Sequence, residues 1–158
     1  MTRMRLGSAA AIAAGTLAAT GLAFAPTAAA VTPQTATIAA TCSIGGSGAA
    51  TLTATQTGTA ATVTLSSTEI TTPLAVAQDS ASSTLTLVNA SGGTTAFSGK
   101  KNPAIPAGGG VTVGPLDGTV ASGDSLEAYG GSLQIVVFGI TITCTAGGPQ
   151  SPGPFVFE

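Results

Sequence analysis

The chain is expected to fold as an all-β antiparallel sandwich of about eight or nine short strands joined by one disulfide. Three observations lead there. Beyond residue 30 apolar residues alternate with threonines at period two, the spacing of a strand with one buried face. Gly and Pro clusters punctuate those stretches at short intervals, as turns between antiparallel strands require. The 158 residues contain only two cysteines, set far apart at Cys42 and Cys144.

The N-terminus is expected to be a signal peptide. Arg3 and Arg5 make a short positive start, and residues 6–24 then run without a charge through Ala, Leu, Ile, Gly and Thr. Ala28-Ala29-Ala30 offers small residues where a signal peptidase reads, which places cleavage before Val31. The apolar run is long enough to span a bilayer, but Gly15, Gly21, Pro26 and the cleavage pattern favour export over anchoring. Removing 30 of the 158 residues leaves 128, enough for one domain with its own core. The expected division is a signal peptide at 1–30, a sandwich at 31–146 and a Pro- and Gly-rich tail at 147–158.

The strands follow in order. Ala36, Ile38, Ala40 and Cys42 share one face of the first, and Gly45-Gly46-Ser47-Gly48 marks a turn. Ala50, Leu52 and Ala54 then alternate with threonines, as do Ala61, Val63 and Leu65 after Gly58. A shorter strand is expected at residues 73–78, with Leu74 and Val76, before Leu85 and Leu87. Further strands are expected at residues 95–97, 111–113 and 125–129 and around Val120. Residues 133–145 are the most apolar. They predict a central strand covered on both sides, with Val136, Phe138, Ile140, Ile142 and Cys144 as one stripe. Threonine on the outer faces suits a sheet half in water, because it combines β-propensity with a hydroxyl. The run at 100–110, with two prolines and then three glycines, predicts an irregular crossing between sheets. The apolar ending Phe155-Val156-Phe157 is expected to dock on the domain.

Cys42 and Cys144 are expected to pair, since export leads to an oxidising compartment. Closing a loop of about a hundred residues is worth roughly 4 to 5 kcal/mol in the chain-entropy model. That contribution matters to a core rich in alanine, which buries little area per residue.

Composition narrows the function. Lys100 and Lys101 face six acids after residue 30, a net charge of −4, so a phosphate backbone or anionic membrane surface is not expected as a partner. With no histidine, the ordinary hydrolase triads and the commonest metal ligand are absent. No cofactor and no enzymatic activity are expected. Asp117, Asp124 and Glu127 cluster around glycines and read first as solvated turn acids, with a weak calcium site or a carboxylate pair as alternatives. Tyr129, beside Gly130-Gly131, is the one aromatic placed to be exposed, so Tyr129, Asp124 and Glu127 are the candidate ligand-binding residues.

Four segments carry a resemblance: Ala-Thr-Cys-Ser, Lys-Asn-Pro-Ala-Ile-Pro-Ala-Gly-Gly, Gly-Pro-Leu-Asp-Gly-Thr and Ile-Thr-Ile-Thr-Cys-Thr. Over about residues 35–145 the chain resembles small secreted actinobacterial proteins of uncharacterised function. The resemblance implies an immunoglobulin-like β-sandwich with a single long-range disulfide, and only Cys42 and Cys144 take a role from it. The expected function is a secreted structural or interaction module of the cell envelope or extracellular space. Its partner would be a cell-wall component or an extracellular protein, and the alternative is a small-ligand or carbohydrate binder.

Overall fold

A computed structural model describes residues 31–158. The expected signal peptide lies outside the described residues. Nine strands follow in order: β1 (Thr35–Cys42), β2 (Ser47–Thr57), β3 (Ala60–Thr71), β4 (Ser82–Asn89), β5 (Thr94–Gly99), β6 (Gly110–Thr119), β7 (Ser125–Val137), β8 (Ile140–Ala146) and β9 (Phe155–Val156).

Their pairing corrects the expected immunoglobulin-like sandwich. The sheet runs β4-β5-β6-β3-β2-β1-β8-β7, and β4 also pairs with β7, so eight antiparallel strands close into a barrel. β9 adds to β7 as a short extra strand. A sandwich and a barrel both bury one face of each strand, so alternation is identical in the two and says nothing about closure. Closure gives each of the eight strands a neighbour on both sides, although β5 and β6 share only the pair Ser98–Asp117. β3 to β6 form a Greek key, with β3 and β4 linked across the ends of β6 and β5.

The buried faces follow the alternation closely. Ala36, Ile38 and Ala40 of β1, Ala50, Leu52 and Ala54 of β2, Ala61, Val63 and Leu65 of β3, and Leu85 and Leu87 of β4 all point inward. The threonines between them pair across the outside, as Thr55 and Thr62 do at 2.6 Å between hydroxyl oxygens.

Three segments differ from expectation. Residues 133–145 do not form one central strand. Phe138 and Gly139 have φ of 53° and 71°, and Val137 pairs with Ile140, so they make a two-residue hairpin turn between β7 and β8. The single apolar stripe is therefore broken: Ile135 and Val137 face inward while Val136 faces solvent. The expected strand at 73–78 shrinks to one bridge, Val76 with Ile105. Residues 125–129 and the first half of 133–145 instead belong to one long β7 carrying a bulge. There Thr86 pairs with Ser132 but Val88 pairs with Glu127. A Cβ on Gly131 would lie 1.9 Å from the Thr86 carbonyl oxygen, so only glycine lets the two backbones approach this closely.

β6 is longer than expected, and Gly114-Pro115 sits at its own register shift against β3, where a missing N–H breaks no ladder bond.

The disulfide is present between Cys42 and Cys144, 102 residues apart. It joins directly opposed residues of β1 and β8, whose ladder comprises only the pairs Ala40–Ala146, Thr41–Thr145 and Cys42–Cys144.

Candidate functional site

Strand direction sorts the connections into two ends of the barrel. One end carries the β2–β3 and β4–β5 turns, the β6–β7 connection and the C-terminal residues. It is plugged. Phe155 and Phe157 are fully buried, and Phe157 stacks on Phe97 with ring centroids 6.5 Å apart. The Gln56 amide grips the terminus, accepting from the Glu158 N–H at 3.0 Å and donating to the Glu158 carbonyl oxygen.

The other end carries the turn after β1, the connections at 72–81 and 100–109, and the Phe138-Gly139 hairpin tip. The two long connections run side by side as an irregular ribbon. Gly108 N–H donates to Thr72 O at 2.7 Å, Val76 and Ile105 exchange bonds of 2.8 and 2.9 Å, and Asp79 N–H donates to Asn102 O at 3.0 Å. Asn102 pins this ribbon from inside. Its Oδ1 accepts from Ser80 and Ala81 N–H, both at 3.0 Å, and its Nδ2 donates to the Ala77 and Pro103 carbonyls. All four of its hydrogen-bonding positions are thereby used, which makes its burial affordable and leaves nothing for a ligand.

Between the ribbon and the hairpin tip lies a cavity of about 110 Å³. Ile70, Val76, Ala81, Ile105, Val113 and Val137 line its depth, with the Cys42–Cys144 bridge in its wall. Thr71, Thr72 and Asn102 are the only polar side chains in the lining, and none is charged. The rim is apolar too: Leu74 is 61% exposed, Phe138 60%, Ile140 50% and Ile44 38%. These make up four of the seven large exposed hydrophobics among the described residues, gathered at one mouth.

Phe138 is unusual for a second reason. A bulky side chain at positive φ is strained, and two-residue turns of this kind favour Asn or Asp followed by Gly. Strain of this sort concentrates at ligand clamps and other functional positions.

The sequence-predicted ligand residues lie at the plugged end. Asp124 sits in the β6–β7 connection, where its Oδ2 accepts from Ala121 N–H at 2.8 Å and its carbonyl accepts from Phe157 N–H at 2.9 Å. Glu127 Oε1 accepts from the N–H groups of Gln150 at 2.8 Å, Ala128 at 3.0 Å and Tyr129 at 3.2 Å, holding the bulge and the C-terminal segment together. Tyr129 is half-exposed beside them. Asp117 stands apart on β6, 3.9 Å from Lys101 in an exposed ion pair worth little. Among the described residues no group of three His, Cys, Asp or Glu side chains could hold a metal ion.

The mouth residues were missed because a side chain's place at a barrel end depends on closure. Ile44 alone gave a signal, as a large apolar residue beside the Gly45-Gly46-Ser47-Gly48 turn where polar residues are the rule, whereas Leu74 and Phe138 sat inside expected strands. Comparison with family models, curated proteins and solved structures returned no match for this chain.

Proposed function

We propose that this chain is a secreted, non-catalytic binding module of the extracellular space or cell envelope, and that it takes an apolar ligand into the open mouth of its barrel. The apolar N-terminal segment and the disulfide support secretion. The observation that carries the binding reading is the asymmetry of the two ends. Aromatic side chains fill one end, whereas the other holds an uncharged cavity under an exposed apolar rim. Barrel mouths with apolar walls are common sites for small ligands. A glycan has less support at this mouth, because sugar hydroxyls need polar partners and Asn102 is already satisfied.

Titration with dissolved xenon, a small apolar probe that enters dry apolar cavities, followed by methyl-resolved NMR, tests the reading. Resonances of Val76, Ile105 and Val137 should shift, while those of Val63 and Leu126, which lie outside the mouth lining, should not. Shifts confined to the plugged end, or none at all, would reject it.

A further inference from the structure

We infer that the ligand is a single unbranched alkyl chain, taken end-on as a monomer with its head group left outside. This rests on the proposed function of the mouth and names the chemistry of its occupant. The cavity is small: an enclosed apolar cavity of roughly 150 Å³ accommodates one benzene, and this one offers about 110 Å³. A fused ring system is therefore too bulky to seat fully in it, and the end of a thin chain is the better fit. Leu74, Phe138 and Ile140 line the same cavity and are themselves exposed, so the apolar wall of this socket runs from buried residues out to the surface. A long, thin, flexible apolar group can follow that wall from its buried to its exposed part, which a compact one cannot.

The lining also determines what is not recognised. It has no charged side chain, and the one buried amide that reaches it, Asn102, has no free donor or acceptor. Beyond Asn102 only the neutral Thr71 and Thr72 hydroxyls line it, so no charge in the socket tells one head group from another. Alkanols and alkanoates of equal length should therefore bind alike, and chain length should set affinity.

Phe138 ties the rim to this role. At φ 53° it occupies a turn position that Asn would fill with less strain, and its ring is 60% exposed beside the socket. There the ring is placed to touch the part of the alkyl chain that leaves the cavity.

The test uses the oxidised protein, with butanol, hexanol, octanol, octanoate and cyclohexanol followed by methyl-resolved NMR below any micelle-forming concentration. Affinity should rise roughly fourfold per added methylene along the alkanols, the increment expected from burying one methylene group. Octanol and octanoate should agree within about threefold, a small difference on the free-energy scale. Cyclohexanol should bind more weakly than hexanol. Binding without dependence on chain length, or cyclohexanol equal to hexanol, would overturn the alkyl-chain inference while leaving the apolar mouth standing. No binding by any probe would remove both. Shifts on phosphatidylcholine vesicles with none from monomeric octanol would also overturn it, pointing to a membrane surface instead.

Two variants locate the site. Ala81→Leu fills the socket from a buried lining position and should abolish octanol binding with no loss of melting temperature. Phe138→Asn should weaken octanol at least tenfold while the melting temperature rises or holds. Full octanol affinity in either folded variant would overturn the placement.

Discussion

Ser83 places a hydroxyl on the inward face of β4 that has no hydrogen-bond partner among the described residues. A buried hydroxyl without a partner loses its water bonds and gains nothing in return. Ser83→Ala is therefore expected to stabilise the protein by about 1 kcal/mol, seen as a higher urea midpoint at unchanged slope. A lower midpoint would show that the hydroxyl is bonded after all. Phe138 has the opposite logic, since its strain lies in the backbone rather than in a polar group. Relieving a positive φ with Asn should contribute about 1 kcal/mol of stability, at the low end of what such strained residues cost. Its stabilisation and its loss of alkyl binding should appear together in the same variant, the pattern expected where a site is maintained against stability.

The bulge in β7 shows what a strand can and cannot reveal about itself. Gly131 lets β7 pass so close to Thr86 that any Cβ would collide with backbone, which cannot move aside as a flexible side chain could. Gly131→Ala should force β4 and β7 apart locally and destabilise by roughly 2 kcal/mol or more, measurable as a fall in melting temperature. A neutral result would mean that the bulge relaxes freely. Gly130-Gly131 was visible in the sequence as a break, but one long strand with a bulge and two shorter strands with a turn present the same two glycines. The Phe138-Gly139 turn was hidden for a different reason. An apolar residue in the turn continues the apolar run on either side, so the hairpin read as one strand. By contrast β1, β2, β4 and the first half of β3 were legible, because each alternates there and a Gly, Pro or Asn lies at or shortly after the strand's end. The site was not legible, because Val76, Ile105 and Phe138 become neighbours only through closure of the barrel.

The described residues form a barrel closed at one end by Phe155 and Phe157 and sealed along one seam by a covalent bond. β1 and β8 share only three registered pairs, and Cys42–Cys144 is one of them. The bridge also stands in the wall of the cavity. It can stabilise in two distinct ways: by shortening the unfolded chain, or by holding a weakly paired seam of the folded one. Closing a loop of this length is worth roughly 4 to 5 kcal/mol through the unfolded chain alone, a large share of the ~5–15 kcal/mol typical of a domain. The Cys42→Ala, Cys144→Ala double variant should lose about that much, and urea unfolding separates the two routes. If the unfolded chain carries the effect, removing the crosslink lets that state expand and expose more surface, so the denaturant slope should rise as the midpoint falls. If the seam carries it, the slope should stay constant. Methyl resonances of Ile142 and Val137 beside the mouth should then broaden in the folded variant, while those of Leu126, outside the mouth lining, stay sharp. The loop length favours the first outcome. A constant slope with a broadened mouth would instead show the bridge to be part of the binding site's own architecture.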